Sequence, residues 1–158
     1  MTEIRIAGEA DIPALVRLRL AYFDEEFGTL PEETDAHLRM QLPQFFAEHL
    51  NRDCFGFLAS AEPGGAPCAS AILCCSAIAP NPRFPDGKRG YVLGVYTEPE
   101  HRGKGCATLL MQRLLQEAKR LGLNLVSLSA SDMGRPIYEK LGFTVSHSHF
   151  TEMELALP

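Results

Sequence analysis

Residues 95–121 of the 158-residue chain read VYTEPEHRGKGCATLLMQRLLQEAKRL, which indicates a strand, a glycine-containing loop and a helix in succession. The helix is predicted because apolar residues recur along it with a period of 3.6. The members of this apolar stripe are Ala107, Leu110, Met111, Leu114, Leu115, Ala118 and Leu121. Gly122 is placed to end the helix, and Lys119 and Arg120 suit the negative end of its dipole.

The loop before this helix predicts an anion-binding site. Gly103 and Gly105 stand where the helix begins, so no side chain blocks the free amides of its first turn. Arg102 and Lys104 add positive charge. A P-loop does not fit, because it needs Ser or Thr directly after its Gly-Lys and this chain has Gly105 there. A dinucleotide fingerprint fits poorly as well, since its third small residue is replaced by Thr108.

The remaining pattern, Arg102-x-x-Gly105-x-Ala107 between a strand and an amphipathic helix, resembles the pyrophosphate loop of the GCN5-related N-acetyltransferases (GNAT). The later run Ile137–Phe143, IYEKLGF, resembles a second motif of that family and follows in the family's order. The resemblance extends over nearly the whole chain and is most specific from Tyr91 to Phe143. A pattern of six residues has little specificity alone, so this context carries the assignment.

The order of elements read from the chain is β, α, α, three antiparallel strands, α, β, α and a closing hairpin. The predicted segments are Glu3–Ala7, a helix from Ile12 to Phe27, a helical region Pro31–Asn51, strands Cys54–Glu62, Pro67–Ile78 and Tyr91–Thr97, strand Asn124–Ala130, helix Gly134–Leu141, and a hairpin of Thr144–Ser146 with Phe150–Leu155. Pro43 predicts a break near Leu42, and Ala79–Gly90 reads as a long loop. We therefore expect one domain spanning residues 1–158.

The resemblance implies an α/β (α+β) fold with a mixed, mostly antiparallel central sheet flanked by helices. A helix connects strands Tyr91–Thr97 and Asn124–Ala130, so these two strands are expected to be parallel. Gly94 inside the first of them suggests a bulge or a close backbone approach. In the family this strand pair splays apart at the cofactor site.

The resemblance also implies acetyl-CoA (coenzyme A) as co-substrate. Its pyrophosphate is expected on the backbone amides of the loop, and its pantetheine arm along the preceding strand. The residues expected to bind it are Val95, Tyr96, Thr97, Arg102, Gly103, Lys104, Gly105, Cys106, Ala107 and Ser131. The family often has Asn and Ala where this chain has Ser131 and Gly134, and Ser131 retains a hydroxyl that suits a pantetheine amide.

Two side chains are predicted to be catalytic. Tyr138 stands where the family places a tyrosine beside the thioester sulfur, and a phenol can protonate a leaving thiolate. Glu98 lies beside the cofactor strand and is our candidate base for the amine proton, with Tyr96, Glu25 and Glu26 as further candidates. Each of these side chains has a simpler alternative role, as a core tyrosine or a solvated carboxylate.

Composition excludes several classes of protein. A net charge of −5 argues against a nucleic-acid binder or a binder of anionic membranes, because both usually carry a basic surplus. The five cysteines lack zinc spacing and read as reduced core residues. His147 and His149 share a strand face without a third ligand, so no metal is expected. With no apolar leader or spanning segment, we expect a cytoplasmic protein, monomeric or homodimeric.

The activity implied by the resemblance is acyl transfer: an acetyl group moves from acetyl-CoA directly to a primary amine in a ternary complex. Several carboxylates near the expected acceptor cleft favour a small cationic amine, such as an amino acid, a polyamine or an aminoglycoside. These carboxylates are Asp24, Glu25, Glu26, Glu32 and Glu33. Two alternatives stay open: a non-catalytic module that binds or senses coenzyme A, and an enzyme that acetylates proteins or peptides.

Overall fold

The computed structural model describes residues 1–158 and has a central sheet of five strands flanked by four helices. In chain order these are β1 (Glu3–Ile6), α1 (Ile12–Phe27), α2 (Glu32–His49), β2 (Cys54–Ser60), β3 (Pro67–Ala77), β4 (Lys88–Thr97), α3 (Cys106–Arg120), β5 (Val126–Leu128) and α4 (Arg135–Lys140). Short 3₁₀ turns at Glu9–Asp11 and Pro99–His101 precede α1 and the loop before α3. None of the helices is both long and apolar enough to cross a lipid bilayer.

The sheet has the strand order β1-β2-β3-β4-β5, so sequential strands are neighbours throughout. The first three pairings are antiparallel, and β4 pairs with β5 in parallel. Helix α3 makes the crossover that a parallel pair requires. The predicted mixed, mostly antiparallel sheet is confirmed.

Each face of the sheet carries its own core, because alternate side chains of a strand point to opposite faces. On one face, Phe57 and Leu73 pack with Leu110 and Leu114 of α3. On the other face, Leu15 and Leu18 of α1 and Phe46 of α2 pack against Leu58 and Ile72 of the sheet. The sheet is therefore covered by α3 on one side and by the α1–α2 pair on the other.

A bulge interrupts β4 next to Gly94. Ile72 of β3 pairs with Gly94 and the next residue, Leu73, pairs with Val92, so Leu93 has no partner on β3. An extra residue of this kind bends a strand and increases its local twist. The irregularity predicted at Gly94 is confirmed, and it lies where β4 and β5 begin to diverge.

The predicted break at Leu42 is wrong, because α2 runs without interruption through Pro43. Pro43 removes one backbone donor, but the helix is anchored on both sides of it. Phe46 is 1% exposed, and Leu42 and Phe45 pack against the same core. Tertiary packing thus outweighs the local cost of one proline.

The closing hairpin predicted for Thr144–Ser146 and Phe150–Leu155 is also wrong. Residues 144–158 form no strand and make no backbone–backbone hydrogen bond. Alternation of polar and apolar residues indicates which face of a strand would be buried. A strand forms only if the sheet offers an edge long enough to pair with it. The neighbouring edge strand, β5, has three residues, and Phe150 and Leu155 are 75% and 83% exposed.

Glu117 is a buried charge on α3, the helix that follows the glycine loop. Its side chain is 4% exposed and pairs with Arg113 and Arg120 on the same helix, with Arg120 Nε donating at 2.9 Å. The hydrogen bond from Arg120 is the main reason that the pKa of Glu117 lies below its ordinary value of 4.5. The folded state therefore favours the ionised carboxylate.

We predict that Glu117→Gln lowers the free energy of unfolding at pH 7 by about 1–2 kcal/mol, because the guanidinium groups of Arg113 and Arg120 then face a neutral amide instead of a carboxylate. Since the folded pKa is depressed, this stabilisation is present above the unfolded pKa and is lost as pH falls through the folded value. Urea denaturation at pH 7, 5 and 3 measures it. Glu139→Gln, in the exposed pair with Arg135, is the control and should change stability by less than about 0.5 kcal/mol. A difference at Glu117 that persists undiminished at pH 3 would contradict the assignment.

Candidate functional site

A cavity of about 630 Å³ opens where β4 and β5 diverge. One wall is β4 from Val92 to Thr97, and the other is the end of β5 with the residues after it, Leu128–Ser131, together with α4. The loop before α3 and three side chains of α1 complete the lining, and they meet where Arg102 pairs with Glu25. These three are Tyr22, Glu25 and Glu26.

The β4 wall offers free backbone groups to the cavity. Strand β5 pairs with β4 only at Gly90, Tyr91 and Val92. From Leu93 to Thr97 the edge of β4 that faces β5 has no strand partner, although its other edge is paired with β3. An extended ligand with amide groups can hydrogen-bond to such an edge as an additional strand would.

The beginning of α3 provides the second set of free backbone groups. The amides of residues 103–108 donate to no backbone carbonyl, and the first helical bond of this turn is from Leu109 N to Gly105 O at 3.0 Å. Gly103 and Gly105 have φ of 75° and 83°, a conformation that favours glycine. A Cβ at either residue would have no neighbour within 4 Å, so the space before these amides is open. Free amides at the start of a helix can bind an anion such as a phosphate group.

The two basic side chains of the loop are held by other groups of the protein. Arg102 donates from Nε to Thr97 O at 2.9 Å and pairs with Glu25 of α1 at 2.7 Å. Lys104 donates to Glu100 O at 3.2 Å and does not line the cavity. Arg102 thus ties the loop to β4 and α1, and the free donors of this loop are mainly backbone amides.

Tyr138 lines the cavity from α4, and burial is the main reason that its pKa is raised above the ordinary value of 10.0, with Tyr22 adding to the effect. The phenol therefore keeps its proton at neutral pH. Gly134 makes room for it, since a Cβ there would lie 3.0 Å from Tyr138 Cε2 and 3.4 Å from its hydroxyl. The Ser131 hydroxyl oxygen accepts from Gly134 N at 3.1 Å, which leaves its own proton available to a ligand.

Glu98 does not line the cavity. Its carboxylate pairs with Arg17 of α1, whose other nitrogen donates to Pro67 O at 2.6 Å. The other residues that the sequence placed at the site do line the cavity, with Lys104 as the second exception. They are Val95, Tyr96, Thr97, Arg102, Gly103, Gly105, Cys106, Ala107, Ser131 and Tyr138.

Sequence reasoning missed Tyr22 as a site residue. Burial is the main reason that its pKa is raised, followed by the nearby charge of Glu26. A signal for it was present, because Tyr22, Glu25 and Glu26 recur at i, i+3 and i+4 and so share one helix face. A polar stripe on a helix whose opposite face is buried indicates a surface that meets water or a ligand.

Comparison with known proteins agrees with this geometry. The model of the acetyltransferase (GNAT) family matches residues 12–143. A predicted acetyltransferase from Clostridium acetobutylicum, crystallised with acetyl-CoA, is 31% identical over 98% of this chain and 96% of its own, with a TM-score of 0.82. A GCN5-related N-acetyltransferase from Ralstonia eutropha JMP134 is 30% identical over 99% of both chains, with a TM-score of 0.76.

A more distant structure shares the fold alone. The ribosomal-protein-alanine N-acetyltransferase from Brucella melitensis biovar Abortus 2308 is 22% identical over 98% of this chain and 99% of its own, with a TM-score of 0.65. Comparison with curated protein sequences gives no match. The comparisons thus give the family and leave the acceptor to be argued from the site.

We predict that Gly105→Asp lowers the affinity for acetyl-CoA roughly 100-fold or more, because a carboxylate beside the free amides repels an incoming pyrophosphate. Calorimetric titration measures this. Gly28→Asp is the matched control: Gly28 has a φ of 71°, its Cβ would also meet nothing within 4 Å, and it lies outside the cavity. Both variants add the same charge, and the control carries the greater backbone strain, because ψ is −163° at Gly28 and 6° at Gly105. Unchanged binding by Gly105→Asp would mean that the phosphates lie elsewhere.

Proposed function

The chain belongs to the GNAT family of acetyltransferases, and on this premise we propose that it transfers the acetyl group of acetyl-CoA to a primary amine of a small molecule. The observation that carries the proposal is the run of unpaired amides at residues 103–108, at one end of a cavity whose β4 wall is also unpaired. These two backbone surfaces suit the pyrophosphate and the amide-bearing arm of one ligand.

The residues present fit acetyl-CoA. Gly103 and Gly105 leave the space that a pyrophosphate needs, and the Ser131 hydroxyl is placed to donate to an amide of the pantetheine arm. When bound, the co-substrate supplies the activated thioester carbonyl. In the proposal a backbone N–H of Val95–Thr97 donates to the oxygen of that carbonyl, where negative charge develops during transfer.

Tyr138 is proposed as the general acid. As the acceptor nitrogen forms its bond to the acetyl carbon and the carbon–sulfur bond breaks, the phenol gives its proton to the departing thiolate. The raised pKa of Tyr138 means that the required proton is present at neutral pH. Holding both reactants in one cavity makes the transfer effectively unimolecular.

The amine must also lose a proton, and Glu26 is better placed than Glu98 to receive it. Glu26 lines the cavity and has no ion-pair partner, whereas Glu98 is held by Arg17 outside the lining. Glu26 is exposed, so the transfer would run through water. Glu25 is less suitable, because its carboxylate is paired with Arg102.

We predict that Tyr138→Phe lowers kcat about 100-fold and changes the Kd for acetyl-CoA less than about twofold, since only a proton donor is removed. The measurements are release of free thiol in the presence of amines and calorimetric binding of acetyl-CoA. Because the pKa of Tyr138 is raised, the rate of the wild-type protein should decline only above pH 10.0, and the variant should lack this decline.

Tyr91→Phe is the matched control for this experiment, since Tyr91 does not line the cavity. An equal loss of binding and rate in Tyr138→Phe would indicate a structural role for Tyr138. Saturable acetyl-CoA binding without thiol release for any amine or peptide would instead favour a non-catalytic coenzyme A-binding module.

A further inference from the structure

Arg19 of α1 differs from the other arginines of the chain. Seven arginines form ion pairs with carboxylates: Arg5, Arg17, Arg39, Arg102, Arg113, Arg120 and Arg135. Three others, Arg52, Arg83 and Arg89, are unpaired but exposed to solvent. Arg19 is unpaired and only partly exposed, so its charge is withdrawn from water without a counter-charge.

The guanidinium of Arg19 lies beside the bulge of β4. A Cβ on Gly94 would be 3.3 Å from Arg19 Nη1 and 3.7 Å from the ring of Tyr22. Gly94 and Tyr22 line the cavity, and Arg19 lies directly behind them without lining it. The guanidinium carbon is 4.8 Å from the ring centroid of Phe23, which supports the charge through a cation–π contact and leaves the N–H donors free.

These donors are not enclosed by the protein. Every buried side-chain nitrogen or oxygen in the protein has a hydrogen-bond partner. Arg19 makes no hydrogen bond in the structure, so its nitrogens lie at accessible surface. Burial lowers the pKa of Arg19 below its ordinary value, and Tyr22 is the first of the groups that offset this. A partly desolvated charge in a cleft indicates a functional role when no structural partner accounts for it.

We propose that Arg19 binds a carboxylate of the acceptor, and hence that the acceptor is a short amino acid. This inference rests on the function proposed above. Gly94 immediately precedes Val95, so an anion bound to Arg19 would lie beside the Val95–Thr97 backbone, where the amine is proposed to react. A guanidinium can bind a carboxylate through two parallel hydrogen bonds.

The other charges at this end of the cavity suit the ammonium group of the same molecule. Glu26 lines the cavity on the same helix as Arg19 and has no ion-pair partner, whereas Glu25 is paired with Arg102. A zwitterion would therefore meet a cation and an unpaired carboxylate on the same helix. Polyamines and aminoglycosides carry no anion for Arg19, and they would bring positive charge against it.

The test compares three forms of one acceptor: leucine, leucinamide and isoamylamine, with the other common amino acids and their amides as a wider panel. Thiol release gives KM and kcat for the wild-type protein, Arg19→Met, Arg19→Lys and the control Arg52→Met. Direct binding of the same compounds to the coenzyme A-loaded protein is measured by calorimetry, so the result does not depend on turnover.

The wild-type protein should prefer acceptors with a free carboxylate. Arg19→Met should raise their KM or Kd about 10- to 100-fold and leave the values for amides unchanged, because one charge-assisted contact is lost. Arg19→Lys should keep part of the preference for acceptors with a free carboxylate, and Arg52→Met should keep all of this preference. The midpoint of thermal unfolding of Arg19→Met should equal or exceed that of the wild type, since an unpaired, partly buried charge has been removed.

Three results would overturn the inference. The first is equal use of amides or simple amines by the wild-type protein, which leaves the proposed acetyl transfer intact. The second is an equal loss with all acceptors in Arg19→Met together with a lower unfolding midpoint, which indicates a structural role. The third is binding of no amino acid to the coenzyme A-loaded protein. Failure of the proposed function itself appears separately, as absence of thiol release with every amine and peptide.

Discussion

The free amides of residues 103–108 are the constraint on which the rest of the site depends. A helix cannot satisfy the first donors of its own backbone, and here no capping side chain replaces the missing acceptors. Gly103 and Gly105 keep the approach open through backbone conformations that other residues rarely adopt. The surrounding elements hold this turn in place: α3 is anchored by Leu110 and Leu114 in the core, and Arg102 ties the loop to α1.

A second feature is the divergence of β4 and β5, which opens a cavity that extends from the free amides along β4. The bulge at Leu93 and Gly94 bends β4 at the point where pairing with β5 stops. One wall of the cavity then consists of backbone groups, which can hydrogen-bond to any extended ligand that carries amide groups. The end formed by α1 is different, because side chains line it. We therefore infer that the backbone determines which co-substrate binds and α1 determines which amine is accepted.

Much of this could be predicted from the sequence, for physical reasons that differ between elements. The apolar stripe of α3 and the glycines before it are local signals, and the parallel pairing of β4 with β5 follows from the helix between them. The path of α2 through Pro43 could not be predicted, because it depends on Phe46 reaching a core made by distant strands. The unpaired segment 144–158 was missed because alternation carries no information about the length of the neighbouring edge.

Side-chain partners were the least predictable part of the site. Glu98 and Arg102 were placed near the cofactor from their positions in the chain, yet their partners, Arg17 and Glu25, come from a helix far away in sequence. The same helix supplies Tyr22 and Arg19. Their positions next to Gly94 depend on the packing of α1 on β4 and could not be predicted from the sequence. Local motifs indicate where a backbone site lies, whereas the charges around it depend on tertiary contacts.

NMR titration of the ¹⁵N-labelled protein with coenzyme A can test whether the unpaired backbone amides bind the pyrophosphate. We expect the largest downfield shifts of amide protons within residues 103–108. Pantetheine, which lacks the pyrophosphate, should leave those amide signals unchanged and shift the signals of β4 residues. Saturable binding of coenzyme A with the amides of residues 103–108 unshifted, and the largest changes elsewhere, would contradict the account.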